Sequence, residues 1–321
     1  MKIVKFTRYL VLASSLLLPF SAFNQAVAQQ DSIDKFALGF YRTQLGQFDV
    51  IALSDGTVDL PMDKLLHQDS ETTKQQLEAA FLSVPTETSV NGYLIDTDDE
   101  LVLIDTGAGN LFGPTLGNII KSLNAAGYSP SDVDHILITH LHPDHVGGLS
   151  KEGNRVFVNA TVHANQRDLD FWLNDKEMSK APEANKGFFQ GAMVSLNPYV
   201  KASKISAFNA NEQIVKGITT DASHGHTPGH TSYIVQSDGE EMWVIGDLIH
   251  AGAVQFSHPQ ITIDFDSAPQ QAKKQRERIF SHVAKSKALM AGAHLQFPGL
   301  GHLRETKSGF EWVPANYSRL R

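Results

Sequence analysis

The segment Ile138–Gly148, ITHLHPDHVGG, places three histidines and one aspartate within six positions. Imidazole and carboxylate groups are costly to bury unless something offsets their desolvation, and a bound metal ion can do so. In extended backbone His140 and His142 project to the same side, whereas the proline that follows them ends the strand and turns Asp144 and His145 in another direction. The segment therefore predicts one loop that offers two pairs of ligands to two neighbouring metal positions. The alternative is a solvated polar loop.

Further candidate ligands stand where predicted strands end. His226 lies in the turn SHGHTPGHTSY, Asp247 follows MWVIG, and His294 follows ALMAGA. Loops held by a rigid scaffold are where proteins concentrate functional groups. Asp247 could bridge two ions through its two oxygens. The predicted sites are His140, His142 and His226 for one ion, and Asp144, His145 and His294 for the other.

Composition narrows the chemistry of these sites. The 321 residues include no cysteine, which excludes thiolate-bound zinc, iron–sulfur clusters and thiol nucleophiles, so any metal site is built from histidine and carboxylate. The formal charge is −8, and the densest basic run, Lys273–Arg278, falls in a predicted helix, where a solvated face is the better interpretation. Nucleic acid is therefore not expected as a partner.

The first 28 residues are expected to be a signal peptide. Lys2, Lys5 and Arg8 precede an apolar run over Tyr9–Phe20, and Ala26–Ala28 forms a small-residue cleavage site. This pattern predicts export to the periplasm or the medium, with residues 29–321 as a single domain. No later stretch is long and apolar enough to span a membrane.

Strand and helix patterns alternate through two comparable halves of the remaining chain, which predicts sheets buried between helical layers. The clearest patterns are a hairpin of strands over 92–97 and 100–107, a helix after 116, and a strand at 134–139. A mostly helical, aromatic-rich region follows over 163–200. The later patterns predict strands at 212–220, 231–236 and 241–246, a helix over 267–285 and a strand at 288–292.

With THLHPDHVGG, the turn at His226 and the segment LIDTGAG at Leu103–Gly109, the chain resembles the metallo-β-lactamase superfamily from Phe48 to about Leu303. The resemblance implies an α/β fold, the four-layer αββα sandwich, with two metal ions at one edge of the sheets. It also implies that Asp105 orients a ligand from behind, although a simple turn aspartate is the alternative. His230 is expected to support the turn. His302 comes too late after its strand to match the family pattern, so His294 is preferred as the last ligand.

Two ions that share a water would lower its pKa and give a metal-bridging hydroxide, the nucleophile of a hydrolase. Asp144 and Asp247 are the carboxylates expected at that centre. Zinc suits the ligand set best, with manganese, cobalt and iron as alternatives. The sequence offers no dedicated general acid, which favours substrates with good leaving groups.

A narrower resemblance, to the methyl parathion hydrolases of that superfamily, rests on LFGPTLG, DFWL, GFFQGA and AHLQFPGLGHLR. It implies cleavage of neutral organophosphate triesters, a homodimer, and a leaving-group pocket formed by Phe112, Trp172 and Phe189. Core aromatics are the alternative for these three side chains. His250 and Phe265 lie in loops that could face the same substrate. The other candidate functions are a lactonase for acyl-homoserine lactones or an arylesterase with weak triesterase activity, and a metal- or ligand-binding protein without turnover.

Overall fold

The computed structural model describes residues 38–209 and 211–317, and the predicted signal peptide lies outside them. In the first of these ranges, seven strands form one mixed sheet in the order β1-β2-β3-β4-β5-β8-β9, and β6 and β7 form a separate short hairpin. The predicted hairpin is β3 paired antiparallel with β4, and β4, β5, β8 and β9 run parallel. The strands are β1 (Phe40–Leu45), β2 (Phe48–Leu60), β3 (Thr86–Asp96), β4 (Leu101–Ile104), β5 (His135–Leu137), β6 (Ser150–Lys151), β7 (Asn154–Arg155), β8 (Thr161–Asn165) and β9 (Ile205–Phe208).

A second sheet of seven strands runs in sequence order through residues 213–314, with β13 and β14 as its parallel pair. The single strand predicted over 212–220 is instead two antiparallel strands, because Gly217, at φ +80°, turns the chain between them. The strands are β10 (Gln213–Val215), β11 (Ile218–Ala222), β12 (Thr231–Ser237), β13 (Glu240–Val244), β14 (Leu289–Ala291), β15 (Leu300–Glu305) and β16 (Phe310–Pro314).

The helices of the described residues lie between these strands in sequence. The predicted helix over 267–285 forms almost as expected, with its proline in the first turn, and the aromatic-rich region folds into three helices behind β8. The helices are α1 (Met62–Leu65), α2 (Ser70–Ala79), α3 (Ile119–Ala125), α4 (Pro143–Val146), α5 (Gln166–Trp172), α6 (Asp175–Lys180), α7 (Lys186–Lys201), α8 (Gly252–Gln255) and α9 (Pro269–Ser286). None of them has the length and apolar character that crossing a membrane requires.

The alternation of side chains along the strands builds the layers. In β2, Ile51 and Leu53 face a core shared with α3, α5 and α7, whereas Val50 and Ala52 face the core between the two sheets. A third core joins the outer face of the second sheet to α9. Helices thus cover both outer sheet faces, and the fold is the expected α/β sandwich of four layers, αββα.

Cross-sheet hydrogen bonds hold the two sheets in register near the ends of their strands. The hydroxyl of Tyr233, in β12, donates to the carbonyl of Ile138 at 2.7 Å, and that of Tyr93, in β3, donates to the carbonyl of Gly292 at 2.9 Å. Both acceptors lie just beyond a strand end. These bonds bring the loops after β5 and β14 to one edge of the sandwich.

Candidate metal centre

The local fold of the loop after β5 follows from its sequence. His142 is still extended, at φ −71° and ψ 150°, and Pro143 begins the short helix α4, which carries Asp144 and His145. The chain direction therefore changes between the two pairs of polar residues. The loop presents them from two sides, as the spacing predicts.

The structure brings His140, His142, His226 and Asp247 together, with one donor atom of each within 4.8 Å of the others. Nδ1 of His142 lies 3.1 Å from Nε2 of His226, and Nε2 of His226 lies 3.3 Å from Oδ2 of Asp247. These separations are close to the spacing of about 3.3 Å between ligand atoms of a tetrahedral zinc site.

Asp144, His145 and His294 form a second group beside the first, again within 4.8 Å. Nε2 of His294 is 3.5 Å from Oδ2 of Asp144, and Asp247 contacts this group as well, with Oδ1 3.1 Å from Nε2 of His145 and Oδ2 3.1 Å from Nε2 of His294. Asp247 thus faces both groups, which is the placement a bridging carboxylate needs.

Several atoms of this centre that could bind a metal are buried and lack a hydrogen-bond partner in the described part of the chain. They are Nε2 of His140, Nε2 of His145 and Oδ1 of Asp247. An unpartnered buried polar atom costs about 1–3 kcal/mol, and here the atoms converge on common points. Nitrogen and carboxylate donors in this arrangement fit divalent metal ions such as zinc.

The electrostatics of the centre favour added positive charge. Burial and the neighbouring imidazole of His145 lower the pKa of His140 well below its ordinary value, which leaves a neutral ring with a free lone pair. Burial would raise the pKa of Asp247, but the imidazoles of His145 and His294 outweigh it and hold that pKa well below its usual range. Burial also opposes a charge on His145, yet the carboxylates of Asp247 and Asp144 raise its pKa well above normal. The carboxylates of Asp247 and Asp144 therefore attract cations.

Contacts behind the donor atoms fix their direction. Oδ2 of Asp105 lies 2.8 Å from Nδ1 of His145, and both carboxylate oxygens also accept from Thr139, at 2.7 and 2.8 Å. Nε2 of His230 accepts from the backbone N–H of Asp247 at 3.0 Å. Asp105 is therefore placed to orient the ring of His145, the role that the resemblance implies for it, and His230 contacts the backbone of Asp247.

Other supporting residues have no signal in the sequence. Oδ1 of Asp266 lies 3.0 Å from Nδ1 of His226, and the carbonyl of Ser89 lies 3.0 Å from Nδ1 of His294. The fully buried Asp168 accepts hydrogen bonds from Leu141 and from the turn after His226, so it ties the two ligand loops together. The sequence does not indicate that Asp168 and Asp266 support the ligands, because their partners are distant along the chain.

The two candidates for the last ligand occupy different places. His294 lies in the loop after β14, inside the second group, whereas His302 lies on β15 with Nδ1 3.1 Å from the carbonyl of Ala288. The structure thus places His294, and not His302, beside the other candidate ligands.

An apolar cavity of about 170 Å³ opens onto the centre. Phe112, His250 and Phe265 line it together with four of the metal-site residues. The remaining lining residues are Val58, Leu60, Leu116 and Phe188.

The prediction that Trp172 and Phe189 line this cavity is wrong. Both are buried in the core between the first sheet and its helices, although the ring of Trp172 packs edge-on against His142 at 5.1 Å. Phe188 faces the cavity instead. Successive helical residues point about 100° apart, so in α7 the neighbour of Phe189 reaches the cavity while Phe189 points into the core.

The chain is similar to a known protein family and to solved structures of metal-dependent enzymes. The family model of the metallo-beta-lactamase superfamily matches residues 85–294. The crystal structure of AbOPH, a hydrolase in the beta lactamase superfamily, has 33% identity and a TM-score of 0.85, covering 89% of this chain and 100% of that one. AidC, a dizinc quorum-quenching lactonase, has 28% identity and a TM-score of 0.81, covering 88% of this chain and 99% of its own.

A curated relative, the N-acyl homoserine lactonase of a Bacillus species, is 24% identical in an alignment 168 residues long, which covers 46% of this chain and 58% of the lactonase. This chain therefore spans less than two thirds of that relative's length.

Proposed function

Since the chain belongs to the metallo-beta-lactamase superfamily, we propose that it is a di-metal lactonase that opens uncharged lactones bearing an apolar tail. The observation that carries the proposal is the cavity over the metal centre. Apart from the candidate ligands and His250, every residue that lines it is apolar. Such a site takes a neutral substrate and gives no counter-ion to a charged one.

When bound, two divalent ions would supply a Lewis acid for the substrate carbonyl and a water of lowered pKa. His140, His142 and His226 would hold one ion, Asp144, His145 and His294 the other, and Asp247 both. Asp105 keeps the ring of His145 in one orientation through its 2.8 Å contact with Nδ1. Phe112, Phe188 and Phe265 exclude water from the reacting carbonyl and hold the substrate by apolar contact.

His250 is the residue placed to assist the leaving group. Its ring stacks on His294, its Nε2 lies 3.2 Å from Oδ2 of Asp247, and its Nδ1 is buried without a hydrogen-bond partner in the described residues. Burial lowers the pKa of His250 to about 4, so the ring is neutral at pH 7 and has one N–H to donate. The alkoxide released from a lactone is a poor leaving group, and a hydrogen bond from this N–H stabilises it.

An apolar groove beyond the cavity supports the choice of a substrate with a tail. It has a volume of about 440 Å³ and shares Phe112 and Phe188 with the cavity. Leu111, Phe112 and Val194 in its walls are 39%, 41% and 50% exposed and lie beside one another, and a contiguous apolar patch of this kind is typical of a ligand-binding groove. The tail of a bound lactone would cover them.

Cleavage of organophosphate triesters is the second candidate. Phe112 and Phe188 offer aromatic contact to a nitrophenyl group, and the cavity has no charge beyond the metal site to repel a neutral triester. Of the three aromatic side chains expected for this activity, only Phe112 lines the pocket, because Trp172 and Phe189 lie in the core. Export by the leader and a homodimer remain part of the proposal, on the sequence alone.

The test is hydrolysis by the purified mature protein, measured as kcat/KM on a long-chain acyl-homoserine lactone and on methyl paraoxon. Each assay is run as isolated, after chelation and after zinc is added back, with Asp247→Ala as the inactive control. A dominant lactone rate that follows the metal supports the proposal. A dominant triester rate would replace it with the second candidate. No turnover of either substrate by protein that carries two metal ions would favour a binding protein.

A further inference from the structure

A pair of histidines lies away from the metal centre, on the first sheet. His135 is the first residue of β5 and His163 is the third residue of β8. His163 pairs with Leu137, two residues after His135, so both histidines project from the same face of neighbouring parallel strands. A hydrogen bond of 3.0 Å joins Nδ1 of His135 and Nε2 of His163, and their ring centroids are 5.1 Å apart.

A carboxylate stands behind this pair. Oε1 of Glu100, in the turn between β3 and β4, lies 3.2 Å from Nε2 of His135. A histidine that binds a metal through one nitrogen commonly has a carboxylate at the other, which fixes the ring and strengthens the donor. The Glu100 carboxylate therefore orients the ring of His135, and the ring of His135 in turn faces His163.

The distance between the two facing nitrogens fits a shared ion. Zinc–nitrogen bonds of 2.0–2.1 Å place two ligands of a tetrahedral site about 3.3 Å apart, so the observed 3.0 Å needs to open by only a few tenths of an ångström. The side chain of His135 is 23% exposed, which leaves room for water to complete the coordination.

We propose that His135 and His163 bind a divalent transition-metal ion, zinc or copper, at a peripheral site oriented by Glu100. The site is separate from the metal centre: His135 is five positions before His140, which corresponds to roughly 16 Å along fully extended chain. An ion there would link β5 to β8 and, through Glu100, hold the turn before β4. Its expected role is to stabilise the fold.

The probe is zinc alone, measured as ions bound per chain by equilibrium dialysis of chelator-treated mature protein near neutral pH. We expect wild-type protein to bind one more zinc than either His135→Gln or His163→Gln, and its melting temperature to rise on filling that site. His282→Gln removes an exposed histidine from α9 and is the matched control. Its zinc content should equal that of the wild type.

Glu100→Gln gives a second test, because this residue is exposed and its change leaves both rings in place. We expect it to weaken zinc binding at the peripheral site by about 10-fold or more. Equal zinc content in wild type and both folded histidine variants would overturn the proposal. If neither histidine variant folds, unchanged zinc affinity in Glu100→Gln would overturn it.

Discussion

Substituting Gly187 by leucine tests whether the groove beyond the cavity holds a substrate tail. Gly187 is the second residue of α7 and lines the groove, and a Cβ built there meets no heavy atom within 4 Å. Leucine is also a better helix former than glycine by nearly 1 kcal/mol, so the change should not destabilise the fold. The new side chain would stand in space that the tail needs.

The magnitude follows from the area that the tail loses. A fully buried methylene contributes about 0.8 kcal/mol, and roughly half of that is expected in a groove open on one side. A leucine side chain displaces about four methylenes, which amounts to about 1.6 kcal/mol, or a loss of roughly 15-fold in kcat/KM. A lactone whose tail is too short to reach Gly187 should lose nothing.

The assay compares kcat/KM for acyl-homoserine lactones with four-carbon and twelve-carbon tails in wild type and Gly187→Leu. Val200→Leu adds a leucine near the other end of the same helix, where Val200 is exposed, and should behave as the wild type. An equal change for both tails, or none for either, would show that the groove does not hold the tail. Activity on the short lactone tests the proposed function separately.

Three further predictions concern single contacts. Asp105→Asn removes the carboxylate from Nδ1 of His145 and should weaken metal affinity 10- to 100-fold by dialysis, with the fold kept. His250→Leu removes the N–H offered to the leaving group and should lower the lactone rate more than the rate on methyl paraoxon, whose nitrophenolate needs no proton; equal losses would reject that role. Burial and His135 lower the pKa of His163 to about 4, so below pH 6.5 the unfolded chain binds a proton that the folded chain does not. In metal-free protein, the free energy of unfolding should therefore fall by up to about 3 kcal/mol between pH 6.5 and 4. In urea titrations, His163→Gln should show a fall that is smaller by this amount.

Most of the candidate ligands could be placed from sequence because they lie in loops that follow a strand that the pattern marks, whereas Asp144 and His145 lie in α4. A short apolar run followed by a polar residue places that residue at the edge of a buried sheet, as with Asp247 after β13 and His294 after β14. Parallel neighbours then bring such edges together. The spacing of His140 and His142 adds the geometry of one strand, which the sequence determines locally.

Only part of the cavity wall could be predicted in this way: Phe112, His250 and Phe265 line the cavity, whereas Trp172 and Phe189 do not. Trp172 and Phe189 belong to helices in an aromatic-rich region, and a helix of aromatics on several faces does not reveal which face meets the core. The correct neighbour, Phe188, differs from Phe189 only by one step of the helix. The packing of α7 against the first sheet decides which ring is available, and that depends on contacts distant in sequence.

The basic run Lys273–Arg278, in α9, is another place where the sequence alone does not reveal which side chains are buried. It was expected to be a solvated face, but Arg276 is 0% exposed and donates to the carbonyls of Pro259, at 2.9 Å, and of Leu248, directly after Asp247. Its guanidinium also lies 4.0 Å from Asp266, the carboxylate that contacts His226. A buried guanidinium is stable only where carbonyls and a carboxylate surround it, and the sequence of a helix cannot show those groups. Arg276 thus contacts the backbone beside Asp247 and the carboxylate behind His226, two groups next to the candidate metal ligands.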